Sequence, residues 1–187
     1  MNIRKLELEG VVLIEPRRFS DSRGYFAETF RHDAYRALGI TGFVQDNESL
    51  SVRAGTIRGL HYQSPPHAQG KLVRCSRGSV VDVAVDARVG SPTYGCHIRV
   101  ELGEADGRQL WVPPGFLHGF CTREPDTVVQ YKVTATYSPE ADGNVAYGSP
   151  SLGIDWGLDG RPATVSDKDA EAPAFGDWTS PFRYTEA

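Results

Sequence analysis

Cysteine is scarce in this chain: only Cys75, Cys96 and Cys121 occur. They are odd in number, widely spaced and form no C-x-x-C pair, which argues against a disulfide framework and a thiolate zinc site and makes a reducing cytoplasm the expected compartment. Long apolar runs are missing too. No stretch approaches the ~20 apolar residues of a membrane span, and the opening Met1 to Glu7 lacks the apolar centre of a signal peptide. Positive charge is not in excess. The formal net charge is -4, so no nucleic-acid partner is expected, and any nucleotide-bearing ligand would have to meet a local basic cluster. There is no internal repeat, low-complexity tract or linker. At 187 residues, one domain spanning 1–187 is the expectation.

Short β-type runs dominate what is present. Leu72 to Cys75, Ser79 to Val85, Cys96 to Leu102, Gln109 to Val112 and Thr127 to Tyr137 are separated by turn residues, among them Arg77-Gly78, Gly90-Ser91-Pro92, Pro113-Pro114-Gly115 and Glu124-Pro125-Asp126. Such spacing predicts an all-β sandwich or barrel. Helical pattern is confined to His32 to Leu38, stopped by Gly39, and to a short piece near Ser166 to Glu171. From about Phe175 onward a docked or frayed tail is expected.

Strand parity sorts the polar residues, because alternate side chains share a face. Tyr131 falls with Val129 and Val133, Lys71 with Val73 and Cys75, and His118 with Phe116 and Phe120. A lysine, a tyrosine and a histidine are thereby predicted to point into one interior. Burying them costs several kcal/mol, roughly, unless each finds a partner or a ligand, which marks that interior as a reaction site. His97 alternates with Ile98 and is predicted to face solvent.

The run Arg58-Gly59-Leu60-His61-Tyr62-Gln63, followed by Lys71, carries the most chemistry. Histidine titrates near neutrality, so His61 suits the removal of a proton beside a carbonyl. Lys71 and His118 suit negative charge on an enolate oxygen, and Arg58 suits a phosphate. Tyr131 is the matching acid, since inversion requires proton removal on one face and delivery on the other. A histidine base needs an orienting carboxylate, and spacing leaves Asp82, Asp86 and Asp169 all open. In Asp21 to Glu28, Arg23 can reach a phosphate and Phe26 offers a surface for a base or sugar. A metal is disfavoured: after His61 the H-x-H position holds Gln63, His67 lies beyond Pro65-Pro66, and no three ligands converge by spacing.

Several ordered pieces resemble the dTDP-4-dehydrorhamnose 3,5-epimerase family. They are Asp21-Ser22-Arg23-Gly24-Tyr25-Phe26 with Glu28; Gln45-Asp46-Asn47-Glu48-Ser49; Arg58 to Gln63; Lys71-Leu72-Val73; Asp82 to Arg88; Gly90 to Gly95; Pro114 to Phe120; Tyr131-Lys132; and Ser166-Asp167-Lys168-Asp169. Together they run from about Leu6 to about Phe175.

The resemblance implies a cupin-type jelly-roll barrel with a few short peripheral helices, working as a homodimer without metal or other cofactor. It implies His61 as base with Asp169 as its partner, Tyr131 as acid, and Lys71 and His118 near the C4 oxygen of the sugar. Gln45, Asn47 and Arg58 would line the sugar and diphosphate site, with Asp142 and Lys168 also at the substrate. Arg23, Phe26 and Glu28 would reach the nucleotide from the partner subunit, and Tyr137 would stack on the deoxyribose. The implied reaction inverts C3 and C5 of dTDP-4-dehydro-6-deoxy-D-glucose; the alternative inverts only one of them on a related dTDP-4-keto-6-deoxy sugar. Two departures stand out: Asp142 where many members carry glutamate, and Tyr147-Gly148-Ser149 in place of a Trp-Asn-Asp-like run.

Overall fold

Apolar residues in Ser79–Asp86 occupy both parities, which is the pattern of a strand covered on both faces. The computed structural model of the chain, which describes residues 1–40 and 42–185, bears this out. In chain order the strands are β1 (Asn2–Lys5), β2 (Val12–Glu15), β3 (Arg18–Asp21), β4 (Gly24–Ala27), β5 (Gln45–Ser51), β6 (Ile57–Gln63), β7 (Lys71–Arg77), β8 (Ser79–Asp86), β9 (Arg88–Val89), β10 (His97–Gly103), β11 (Gln109–Val112), β12 (Phe116–Thr122), β13 (Thr127–Val133), β14 (Asp142–Asn144) and β15 (Phe182–Arg183). The helices are α1 (His32–Arg36) and α2 (Asp167–Ala170).

Two antiparallel sheets face each other. One runs β1-β2-β11-β7-β13-β5, the other β10-β8-β12-β6-β14. Between them lies an apolar core that includes Leu13, Val73, Val80, Ala84, Leu110, Phe120 and Val129. Each fully buried valine, leucine or phenylalanine among them contributes about 1.5–3 kcal/mol. The outer face of the second sheet (Val81, Val83, Val85, Leu117) is covered by Leu152, Trp156, Phe175 and Phe182 from the chain's last third. The outer face of the first sheet (Val12, Ile14, Leu72, Trp111) is covered by Tyr35 and Ile40 around α1. The chain is thus an all-β, cupin-like jelly roll with two short helices.

Several expectations are adjusted by the backbone. The strand expected over Thr127 to Tyr137 ends at Val133: Thr134 still donates its N–H to the Gly70 carbonyl in register, but its hydroxyl, not its carbonyl, accepts the Gly70 N–H, and the ladder stops there. Tyr137 therefore sits on a loop. His97 is half-buried at the start of β10 rather than fully in water, and burial, together with Arg99, lowers its pKa. The tail is docked as far as it is described. β15 pairs with β9, and Trp178 donates from its indole nitrogen to the Tyr62 hydroxyl at 2.9 Å. The tail's last two positions, 186 and 187, lie outside the described residues.

Candidate active site

Between the two sheets, at one end of the barrel, opens a cavity of about 640 Å³ lined by His61, Lys71, Tyr131, Arg58 and Asp169, among others. The register explains how residues 58 and 61 both reach it. Phe120 pairs with Arg58 and His118 with His61, so two residues of β6, Gly59 and Leu60, oppose the single Gly119 of β12. This bulge puts Arg58 and His61, otherwise of opposite parity, on the interior face. Gly59 makes the bulge possible: its φ is +142°, and a Cβ there would stand 2.6 Å from the Gly119 Cα.

Asp169 is delivered from 108 residues away. The segment before it is pinned along β6 by the Ile57 N–H donating to the Thr164 carbonyl at 2.9 Å. Ser166 caps α2 by accepting from the Asp169 N–H at 3.2 Å. Asn144 of β14 donates to the Lys168 carbonyl at 2.7 Å. The buried Asp169 Oδ1 then meets His61 Nε2 at 2.6 Å. Burial alone would raise the Asp169 carboxyl. Hydrogen bonds from His61, Ser166 and the Gly59 amide outweigh it and hold the group below its ordinary value. An ionised Asp169 can only accept, so Nε2 carries the proton and Nδ1 carries the free lone pair.

Lys71, from β7, keeps some exposure through the cavity but is densely enclosed. This burial pushes its ammonium down to about 8, against the opposing pull of Asp142 and Asp82. Tyr131 projects from β13, opposite Asn47 of β5. Burial raises its phenol; Arg58 opposes the shift and Asp142 adds to it, so the hydroxyl stays protonated at neutral pH. Arg58 is steadied by Ser51 Oγ at 3.1 Å and the Leu50 carbonyl at 3.0 Å. Gln45 donates to Asn47 Oδ1 at 2.8 Å, and its own carbonyl oxygen accepts the Tyr137 N–H at 2.9 Å. The Tyr137 hydroxyl and the Lys168 ammonium both donate to Asp142 Oδ2.

Of the three carboxylates that spacing leaves open for His61, geometry selects one. Asp86 is saturated by Arg88, Ser91 and Thr93. Asp82 is bonded to His118, whose Nε2 is 2.9 Å from its Oδ1. His118 is buried beside His61 in register but does not itself line the cavity. Gln63 is unavailable as a ligand, since its amide bonds the His67 and Thr136 carbonyls and the Ser138 N–H. Among the described residues no group of three His, Cys, Asp or Glu side chains could hold a metal ion.

Arg23, Phe26 and Glu28 are not at the cavity. All three are exposed on or after the β3–β4 hairpin; Arg23 pairs with Asp21 at 2.7 Å, and Phe26 is 69% exposed. Residues that sequence reasoning passed over are the ones that hold the site in place. Ser166 is signalled by its S-x-x-D capping spacing, whereas Ser51 and Asn144 give no local sign.

A jelly roll whose cavity sets an oriented imidazole across from a protonated phenol, with a buried lysine alongside, defines an enzyme of the acid–base kind, able to exchange a carbon-bound proton on a polar substrate. The model of the dTDP-4-dehydrorhamnose 3,5-epimerase family matches residues 5–177, and the chain belongs to that family. A Sinorhizobium fredii dTDP-4-dehydrorhamnose 3,5-epimerase is 50% identical over 187 residues, covering 100% of this chain and 95% of its own length. The crystal structure of a dTDP-6-deoxy-D-glucose-3,5-epimerase from Legionella pneumophila, in complex with dTDP-4-keto-L-rhamnose, aligns with a TM-score of 0.94 at 43% identity, over 99% of both chains. A 3'-monoepimerase from Streptomyces bikiniensis, in complex with dTDP-quinovose, aligns with a TM-score of 0.87 at 33% identity, over 92% of this chain and 87% of that one.

Proposed function

We propose that this enzyme inverts C3 and C5 of dTDP-4-dehydro-6-deoxy-D-glucose to give dTDP-4-dehydro-L-rhamnose, on the path to dTDP-L-rhamnose. The observation that carries this reading is the 2.6 Å His61–Asp169 pair, in one sheet's wall of a cavity whose facing wall bears Tyr131 and Lys71. The C4 ketone acidifies the protons on C3 and C5. His61 Nδ1 removes each, and Asp169 stabilises the imidazolium that results. Lys71, at the cavity wall, holds the negative charge on the C4 oxygen, where one well-placed donor is worth about 3 kcal/mol of barrier, and His118, buried beside His61, supports it from beneath the lining. Tyr131, from the facing sheet, returns a proton to the opposite face of the ring.

Arg58, Gln45 and Asn47 bind sugar and diphosphate, Tyr137 stacks on the deoxyribose, and Lys168 and Asp142, paired with each other at the cavity, also contact the substrate. Double rather than single inversion is supported by the 50% identity to a 3,5-epimerase, against 33% to a mono-epimerase. A homodimer is supported by two apolar features exposed in one chain: Phe19, Tyr25 and Phe26 on the hairpin, and Val44, Leu50 and Val52 along and beside edge strand β5. In that dimer Arg23, Phe26 and Glu28 reach the partner's nucleotide. The three free thiols support a reducing, cytoplasmic setting, and no described helix is long and apolar enough to cross a membrane. The test is proton NMR of the product formed in D₂O. Deuterium at both C3 and C5, lost in His61→Asn, is the expected result. Label at one carbon only would reassign the enzyme to mono-epimerisation, and full exchange by His61→Asn would remove the base.

A further inference from the structure

Beneath the cavity lies a second imidazole–carboxylate pair. Asp82, on β8, is wholly buried, and its Oδ1 is 2.9 Å from Nε2 of His118 on β12. Phe120 lies opposite Asp82 in register, so Asp82 and His118 are diagonal neighbours on the interior face. Asp82 Oδ2 has no hydrogen-bond partner. A buried carboxylate satisfied on one oxygen only costs several kcal/mol, roughly, unless opposite charge lies near.

The other charged groups around the cavity are already committed. Asp169 on α2 serves His61 of β6. Asp142 of β14 is shared by Lys168 and Tyr137. Arg58 of β6 is tied to Ser51 and Leu50 at the end of β5, and Tyr131 of β13 stays a neutral phenol. On β10 the residue opposite Asp82 is Val100, which adds no charge. Lys71 is the cation left facing the interior, and Asp82 and Asp142 are the two carboxylates that act on it.

We propose that Asp82 is a positioning residue for the epimerisation, fixing the ring of His118 through Oδ1 while the unpartnered half of its carboxylate supplies counter-charge to Lys71. This rests on the reading of Lys71 at the cavity wall, with His118 beneath it, as the groups that stabilise the enolate oxygen. Asp82 never touches the sugar. Its effect passes through Lys71, at the cavity wall, and His118, beneath it.

The test is Asp82→Asn, assayed for turnover and for C3 and C5 exchange across pH, beside His61→Asn. The expected result is a fall in kcat of about 10- to 100-fold, with KM within about twofold. The alkaline limb of the profile should move down by about one pH unit, because Lys71 loses a counter-charge. In a His118→Asn background the further loss should shrink to less than about threefold. An Asp82→Asn enzyme with unchanged kcat and limb, while His61→Asn is inactive, overturns the proposal and leaves the epimerase reading standing. Exchange retained by His61→Asn would instead strike at that reading. A variant that loses thermal stability but keeps its pH limb assigns Asp82 to packing alone, which also overturns the proposal. Should Asp82→Asn not fold, ¹⁵N-histidine NMR of the unaltered protein decides. His118 protonated at Nε2 is expected, and an Nδ1–H tautomer refutes the pairing.

Discussion

Asp169→Asn replaces one oxygen by an amide and changes almost nothing in volume. Asp169 is buried, and its carboxylate receives His61 Nε2 at 2.6 Å together with the Gly59 amide and the Ser166 hydroxyl. The Asn carbonyl oxygen can still accept from Gly59, which turns the NH₂ toward His61. Nε2 then has to accept, the proton moves to Nδ1, and the lone pair needed for carbon deprotonation is gone. The imidazolium formed in the reaction also loses its counter-ion. Loss of an orienting carboxylate behind a histidine base costs about 10²- to 10⁴-fold in rate, equivalent to about 3–5 kcal/mol of barrier. Loss of the charged hydrogen bond costs about 1.5–3 kcal/mol of stability. The sign with pH follows from the direction of the shift. The folded-state pKa of Asp169 is depressed, so its stabilisation is complete above the unfolded value of about 3.9 and is lost as pH falls through the lower folded value. The assay is deuterium uptake at C3 and C5 in D₂O, with thermal unfolding measured at about pH 7 and at about pH 3. A variant that exchanges both positions at near the normal rate would refute the tautomer argument, and with it the assignment of Nδ1 as the basic atom.

The alkaline limb of activity should reflect Lys71, whose ammonium is lowered by burial to about 8. Only the protonated lysine stabilises the enolate, so kcat should fall as pH rises through about 8, and Lys71→Arg, which stays charged, should lack that limb; a kcat that stays level to about pH 9.5 would contradict this. Gly59→Ala should unfold at a temperature lower by about 6–12 °C, from a cost of about 3 kcal/mol for a strained φ and a Cβ driven against Gly119, and an unchanged midpoint in calorimetry would show that the bulge can relax.

Much of the fold is legible because its strands are short, alternate cleanly and end at glycine or proline turns. Lys71, His118 and Tyr131 announce their inward direction by the company they keep at i±2, and the registers around them agree. His61 gives no such sign, because Gly59 and Gln63 flank it. Only the extra residue in β6 turns Arg58 and His61 to the same side. Tyr137 reads as strand from composition, yet lies past its end, where the Thr134 hydroxyl takes the Gly70 N–H in place of a backbone carbonyl.

By itself the sequence determined the all-β class, the inward direction of Lys71, Tyr131 and His118 and, through an ordered set of motifs, the family. Each of these is written in short spans, where side-chain periodicity and turn chemistry act locally. The resemblance named Asp169 as the partner of His61, but the physical reason for that choice, and the pairing of His118 with Asp82, came only in three dimensions. Asp82, Asp86 and Asp169 look alike as residues. They differ because β8 buries Asp82 beneath His118, a loop saturates Asp86 with Arg88, Ser91 and Thr93, and the return of residues 164–169 along β6 sets Asp169 against His61. A hydrogen bond across 108 residues depends on backbone path and register, and no local pattern encodes either.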